Sequence, residues 1–599
     1  MAVQTAFSRW VTSNRYSLER TERRILGAMV LAALIGWTIE YGFYASANLV
    51  AVIDAGLHVV LGVFGAVTVL RVYRSWISDE RHRRWWRSLI PFGLAALLLT
   101  LRMAHALDLD DPRVRLVLYR DSALVLFVLF ELTTSSFRLF RLQLNPALLF
   151  ISSFLIIILL GTFLLMLPRS QAQPIGLLDA LFTSVSATCV TGLTVVSTEH
   201  AFTAFGQGVI MLLFQLGGLG VITFTYFFGF FFQGSASLKS TIAVKSMISA
   251  DNIGSTLRLL LRIVLITLGV ELLGAIALWF ASEGHHHDTW GQHLGYVAFH
   301  AISAFCNAGF ATEDAGLATS ALAKNYPFQL IIIVLVVIGG IGFPNLINLG
   351  RFIGYNVRQV ALALLPGRER MHKARLVRLN SILAINVTGV LLLVGFGALL
   401  LLEFNGVLQE HATWWGKTVT ALFGAVTPRT AGFNTFDFAD LTTPALLLII
   451  LLMWIGASPG STGGGIKTTT LGVVMLTIWN VGRGRERLEY RRRQISHTTV
   501  QRATAVMMLS LLLIFLAILL LSLTDGHLGA RGLVFEAVSA VSTVGLSLGI
   551  TPQLSDPGKI IVAVCMLLGR VGMLTVLAAI IQQTGSPRYT YPEEDIQVG

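Results

Sequence analysis

The chain has 599 residues, of which 54% are apolar types and only 13% charged, with a mean hydropathy of +0.73. A water-facing surface needs about twice that charge, so one soluble globule and a soluble catalytic domain are both excluded. At about 20 apolar residues per bilayer crossing, the long hydrophobic runs account for about twelve helices.

The net charge of +12 comes from 44 Lys and Arg against 32 Asp and Glu. Position decides what it means. Basic residues gather at Arg71–Arg87, Arg351–Arg378 and Arg483–Arg502, short stretches that read as cytoplasmic loops under the positive-inside rule and not as a nucleic-acid surface. Cys189, Cys306 and Cys565 lie far apart, which indicates neither a disulfide framework nor a metal site. The stretch up to Arg24 is too polar and too long for a signal peptide, so the first apolar run is expected to remain as a helix.

Apolar runs near 25–45, 50–70, 89–106 and 114–136 predict about four transmembrane helices in an N-terminal extension, residues 1–145. Acidic residues Asp108, Asp110 and Asp111 separate the third run from the fourth. Arg113, Arg115 and Arg120 do not recur every third residue, and Arg138 and Arg141 form one such pair only, so the extension reads as a scaffold or regulator and not as a voltage sensor. Glu40, Asp121, Glu131 and Glu271 are expected to pair with arginines such as Arg120 or to cap helix ends. His285–His287 with Asp288 reads as a solvated loop, and Trp85, Trp86, Trp414 and Trp415 fit interfacial belts.

From Pro146 onward the sequence repeats. Four strings recur, Cys189-Val190-Thr191-Gly192-Leu193, Cys306-Asn307-Ala308-Gly309-Phe310, Arg429-Thr430-Ala431-Gly432-Phe433 and Ser542-Thr543-Val544-Gly545-Leu546, with glycines 117, 123 and 113 residues apart. Such spacing indicates four structural units, taken as 146–250, 251–375, 376–495 and 496–583, followed by a cytoplasmic tail, 584–599. Each unit has a long apolar helix (near 147–168, 258–280, 380–403 and 501–523), a short segment ending at the string, and a second apolar helix (near 207–232, 328–349, 444–481 and 559–582). The short segments Leu178–Thr188, Tyr296–Phe305, Thr418–Thr427 and Leu533–Val541 are about half a bilayer long and are expected to be re-entrant from the outer side. The predicted fold is therefore an all-α polytopic membrane protein in which four membrane-pore-membrane repeats surround a pseudo-fourfold pore. Two full crossings per unit give all four one orientation and place both chain termini in the cytoplasm.

Non-helical backbone at membrane depth requires a protein-lined or water-filled environment. Backbone carbonyls can replace the water around a cation if the chain turns them inward, and glycine permits the necessary angles. In the third unit the second helix is interrupted by Gly456, Ser458, Pro459, Gly460, Ser461 and Gly463, Gly464 and Gly465, so it must break inside the membrane. The run Gly460 to Thr468 is not a phosphate-binding loop, because Ile466 separates Gly465 from Lys467 and no soluble domain carries it. Arg570 stands among apolar residues, where a charge costs about 2.5–3.5 kcal/mol on insertion scales, so it is expected to face an aqueous path or a carboxylate.

The four strings, the sequence Thr427-Pro428-Arg429-Thr430-Ala431-Gly432-Phe433-Asn434-Thr435, the run from Ser458 to Thr470 and the final Gly569-Arg570-Val571-Gly572 together resemble the Trk/Ktr/HKT superfamily of cation transporters, most closely its KtrB-type membrane subunit. The resemblance covers Pro146 to about Gln583. It implies that Gly192, Gly309, Gly432 and Gly545 are filter glycines, with carbonyls also from Val190, Thr191, Asn307, Ala308, Thr430, Ala431, Thr543 and Val544. In plant relatives a serine at the first position accompanies sodium preference, so Gly192 implies potassium. It also implies that the interrupted segment, including Gly456, Ser458, Pro459, Gly460, Gly463–Gly465 and Lys467, is a gate loop below the filter, and that Arg570 lines the pore there.

The function expected on this resemblance is potassium uptake across the cell (inner) membrane, sodium-coupled or sodium-stimulated, with potassium as transported ion and no cofactor in the chain. A sodium-permeable or proton-linked cation route is the alternative within the same architecture, and a membrane sensor with a vestigial pore the alternative from another class. Nothing in the sequence converges on an enzyme site. Relatives pair as homodimers and are controlled by a cytosolic ring of Rossmann-like subunits that bind ATP, ADP or NAD; the basic inner loops suit such a ring or anionic membrane lipid.

Overall fold

The computed structural model describes residues 15–44, 46–78, 117, 119–125, 127–128, 146–220, 256–282, 289–363, 377–485, 487–572 and 576–577. The extension is represented by helices Arg15–Gly42 and Ala47–Ser78 and by helical residues between 117 and 128. The expected third crossing, the acidic stretch at 108–111, Arg113, Arg115, Glu131, Arg138, Arg141, Trp85, Trp86, His285–Asp288 and the tail from 584 lie outside the described residues.

Within the extension one guanidinium gathers three carboxylates. Arg120 is fully buried and donates to Glu40 (2.8 Å), Asp121 (2.9 Å) and Asp54; Trp37 Nε1 also donates to Asp121 at 3.0 Å. The expected pairing of Glu40 and Asp121 with Arg120 is found. The first extension helix ends against the first repeat, where Arg169 N donates to Gly42 O at 3.0 Å.

Each repeat then has the same three-helix plan. The outer helices are Pro146–Leu165, Thr256–Ala281, Leu379–Leu402 and His497–Asp525; the short helices are Leu177–Cys189, Trp290–Cys306, Trp414–Val426 and Ala530–Ser542. The inner helices begin at Ala204, Tyr326, Thr443 and Asp556. Their starts are written locally. Thr203, Asn325, Thr442 and Ser555 occupy the N-cap, and three of the four have proline at the first or second helical position, where its missing N–H costs nothing. Among the described residues five helices are long and apolar enough to span a membrane, or six if a bent pair counts as one span.

The inner helices differ from the sequence expectation. They were expected to run unbroken to 232, 349 and 582 in repeats 1, 2 and 4. Instead the helix stops at Leu219 in repeat 1 and at Val571 in repeat 4, and in repeat 2 it turns by 103° between Ile341 and Phe343. The physical reason is a glycine at each break, Gly220, Gly342 and Gly572, with φ of 78°, 90° and 88°, values that end a right-handed helix and suit glycine alone. In repeat 3 the helices Thr443–Trp454 and Thr468–Gly482 flank the interruption. Between repeats 3 and 4 a two-residue-strand hairpin pairs Glu489–Tyr490 with Arg493–Gln494, its turn made by Arg491 and Arg492 with positive φ.

Candidate permeation site

Three of the short helices end alike. Val190, Asn307 and Thr543 adopt left-handed φ near 50–60° and return their N–H groups to Ala187, Ala304 and Ala540. In the third, Thr430 takes φ 68° at the corresponding position. Two residues later each string's glycine again has positive φ: Gly192 96°, Gly309 71°, Gly432 76° and Gly545 93°. Three of the left-handed residues are β-branched, a conformation costing on the order of 1–3 kcal/mol each unless the surroundings enforce it. Those surroundings are visible. The residue after each glycine, Leu193, Phe310, Phe433 or Leu546, is at most 2% exposed, and Ser186 and Ser539 hydroxyls accept from Gly192 N (3.1 Å) and Gly545 N (3.2 Å).

The four strings close on one another in chain order. A Cβ on Gly192 would lie 2.5 Å from Ala308 O, one on Gly309 2.9 Å from Ala431 O, one on Gly432 2.6 Å from Val544 O, and one on Gly545 would strike Thr191 O. Each glycine therefore abuts the carbonyl preceding the next repeat's glycine, and the fourth returns to the first. All twelve residues singled out in the strings lie in this ring or one residue below it. The hydroxyls of Thr191, Thr430 and Thr543 are buried and have no protein partner, leaving polar atoms free to meet water or an ion.

The interrupted segment of repeat 3 lies directly under two of the strings. Cβ atoms on Gly463 and Gly464 would contact the Thr430 and Thr543 hydroxyls. The segment is a folded loop. Its ends meet where Gly456 packs on Gly464 and Gly465, Ser458 and Thr468 hydroxyls share a hydrogen bond of 3.1 Å, and Lys467 Nζ donates back to Gly463 O at 2.8 Å and Gly464 O at 3.2 Å. Ser458 N reaches Gly340 O at 3.0 Å, and Phe343 N, just past the bend of repeat 2, reaches Gly460 O at 2.9 Å; Pro459 O crowds Gly342 itself.

Arg570 joins this loop to the first repeat. Its guanidinium donates to Thr462 O in the loop and to Gly217 O in the inner helix of repeat 1. It is expected to face an aqueous path or a carboxylate; among the described residues it has no carboxylate partner, and its two acceptors are backbone carbonyls, one in the loop and one, Gly217 O, that also accepts from Gly220 N at the helix end (3.3 Å). Gly217 belongs to a second glycine set that sequence reasoning missed. Gly217, Gly339, Gly456 and Gly569 recur at spacings of 122, 117 and 113, and Cβ atoms on Gly217, Gly339 and Gly569 would collide with the carbonyls of Thr188, Phe305 and Val541 at the ends of the short helices. The spacing alone was enough to find them.

Two more buried groups were missed or read differently. Arg429, 7% exposed, donates to Thr388 O and to Gly456 O, both at 3.3 Å, and so ties the third string to the first residue of the loop. Glu271, expected to pair with an arginine or cap a helix, accepts instead from Gln215 Nε2 at 3.0 Å, behind the second string.

Comparison with known proteins shows the family and the fold. The family model TrkH, described as cation transport protein, matches residues 131–590. The potassium/sodium uptake protein NtpJ of Enterococcus hirae is 34% identical over 470 residues, covering 77% of this chain and 98% of its own. The Ktr system potassium uptake protein B of Bacillus subtilis is 35% identical over 447 residues, covering 74% and 95% respectively. The crystal structure of the potassium transporter TrkH from Vibrio parahaemolyticus superposes with a TM-score of 0.58 at 20% identity, covering 83% of this chain and 99% of that one, a likeness of fold.

Proposed function

The chain belongs to the TrkH family of cation transport proteins, and on that premise we propose that it takes up potassium across the cell membrane, driven by the membrane potential and coupled to or stimulated by sodium. The potential supplies about 2.3 kcal/mol per 100 mV for each charge moved inward. Potassium sheds water at the ring of four strings, where carbonyls of Val190–Gly192, Asn307–Gly309, Thr430–Gly432 and Thr543–Gly545 replace it. The observation that carries the proposal is the closed ring itself, each string glycine seated against the next string's carbonyl.

Below the ring, the loop Gly456–Lys467 is the gate and Arg570 its latch, holding the loop carbonyl of Thr462 to repeat 1. Both termini face the cytoplasm. The molecule works as a homodimer regulated by a cytosolic nucleotide-binding ring that docks on the basic inner face, which includes the hairpin at Arg491 and Arg492. The relatives' printed names, a potassium/sodium uptake protein and a potassium uptake protein, support the choice of ion.

The test is potassium uptake into proteoliposomes under an imposed potential, with and without sodium, for the native chain and Gly192→Ser. Serine at φ 96° with Cβ 2.5 Å from Ala308 O must displace the second string. Saturable native uptake whose potassium-over-sodium preference collapses in the variant is the expected result. Unchanged preference would remove the string from the selecting site.

A further inference from the structure

Buried carboxylates on the outer half of the molecule differ in how they are satisfied. Glu403 accepts from Thr442 N (2.9 Å), Thr442 Oγ1 (2.6 Å) and Val407 N (3.4 Å). Asp525 accepts from Ser555 N (2.8 Å), Ser555 Oγ (3.0 Å) and Thr524 Oγ1 (2.8 Å). Both follow or end an outer helix and are satisfied by donors that include the N-cap residue of the following inner helix. Glu536, in the short helix of repeat 4, is not satisfied in this way. It is 0% exposed, receives Thr551 Oγ1 on Oε1 at 2.5 Å, and has no partner at all on Oε2. Ser547 Oγ stands 2.9 Å from the Thr551 hydroxyl, and among the described residues no cationic side chain pairs with Glu536.

Neither protonation state resolves the deficit from within the protein. An ionised carboxylate buried without a cation costs several kcal/mol, and a neutral acid can donate from Oε1 to Thr551 Oγ1 yet still leaves Oε2 without a donor. A bound cation supplies what is missing. One carboxylate and two hydroxyls make a hard, singly negative oxygen site, whereas divalent ions call for several carboxylates or a large water shell. The closely set oxygens favour the smaller of the physiological alkali ions. Access is from outside: Ser547 is only part-buried and follows Gly545 by two residues. Nine residues before the glycine, where repeat 4 has Glu536, the other repeats have Thr183, His300 and Phe423, so the set occurs once per chain.

We propose that Glu536, Ser547 and Thr551 form a sodium site beside the outer end of the fourth string, whose occupancy reports external sodium to the permeation ring. Its link to transport rests on the proposed sodium coupling; its existence does not. Two readouts separate them, both on the full chain. The first is potassium uptake against external sodium for the native chain, Glu536→Gln and Thr551→Val. The second is thermal stability in detergent with sodium, lithium, potassium or choline chloride at equal ionic strength. Sodium should stabilise the native chain more than potassium or choline does and lose that effect in both variants. The half-maximal sodium concentration for uptake should rise at least tenfold, with the potassium KM at saturating sodium unchanged. Stabilisation lost in the variants without any sodium dependence of native uptake would retain the site and refute coupling. Equal sodium responses in native and variant chains, or equal stabilisation by potassium and sodium, would overturn the site. Should Glu536→Gln fail to fold, Thr551→Val and Glu536→Asp decide.

Discussion

Removing the Arg570 side chain is the sharpest perturbation of the proposed gate. The guanidinium makes one hydrogen bond to the loop, at Thr462 O, and one to the fixed scaffold, at Gly217 O. Bonds from a charged donor contribute about 1.5–3 kcal/mol each, and only the loop bond distinguishes a closed from a displaced loop. Arg570→Ala is therefore expected to raise the displaced-to-closed ratio about ten- to hundredfold, and basal potassium flux in proteoliposomes lacking any cytosolic partner should rise by a similar factor until the ring becomes limiting. Charge and latch can be separated. Arg570→Lys keeps the positive charge, but one ammonium cannot reproduce a planar fork spanning two carbonyls, so a latch predicts leak in Lys as in Ala. Repulsion alone would leave Lys close to native and make Arg570→Gln as leaky as Ala. Native flux in all three variants at equal reconstituted protein would refute a role for Arg570 in gating of either kind.

Other expectations follow from contacts and space. Gly217→Ala and Gly569→Ala drive a methyl into backbone carbonyls and should lower the melting temperature sharply or abolish monodisperse protein on size exclusion, whereas Gly208→Ala in the same inner helix as Gly217 meets nothing within 4 Å and should be neutral or stabilising by up to about 1 kcal/mol. Gly340 has room, its Cβ being 3.5 Å from Asn307 Nδ2 and 3.9 Å from Ala457 Cβ, so Gly340→Arg should fold and place a second cation at the level of Arg570, with uptake falling below native; unchanged uptake would refute the equivalence of the two positions. In the loop between the first and short helices of repeat 3, burial holds His411 below its ordinary 6.5, between the Tyr326 hydroxyl and Thr420, each at 3.1 Å. The unfolded chain therefore takes up this proton first, and thermal stability should fall as pH drops from about 7.5 through 6.5, levelling once the folded form protonates; His411→Gln should flatten that part of the profile.

Much of this architecture could be read before any coordinates, and what escaped did so for definable reasons. The strings were legible because glycine followed by a large apolar residue is uncommon at fixed spacing, and its cause, positive φ beside a buried anchor, leaves no other residue type free. The breaks at Gly220, Gly342 and Gly572 were passed over because glycine inside an apolar run is tolerated in membrane helices. Only Pro459 and the triple glycine of repeat 3 looked disruptive. Yet Gly217-Gly218-Leu219-Gly220, Gly339-Gly340-Ile341-Gly342 and Gly569-Arg570-Val571-Gly572 align as plainly as the strings do. Arg429 and Arg570 show a limit of a different kind. Both charges are met by main-chain carbonyls, and a search for acidic partners among side chains could not find them.

That alignment also explains why four repeats are joined in one chain. The position of Arg570 is held by Gly218, Gly340 and Ala457 in the other repeats, and a Cβ on Gly218 would already be 2.8 Å from Cys306 Sγ. A symmetric tetramer bearing this arginine would bring four guanidinium groups to one axis, with mutual repulsion and no single loop to bind. Covalent linkage lets one repeat supply the charge, one supply the loop it holds, and another, through Gly339 O, Gly340 O and the bend at Gly342, supply the ledge on which the loop rests. The strings keep near-fourfold geometry, as the proposed filter requires, since each would present carbonyls to the same ion. Immediately beneath them the repeats diverge, as the proposed latch requires: it needs one donor and one moving acceptor, and a second copy of either would compete with the first.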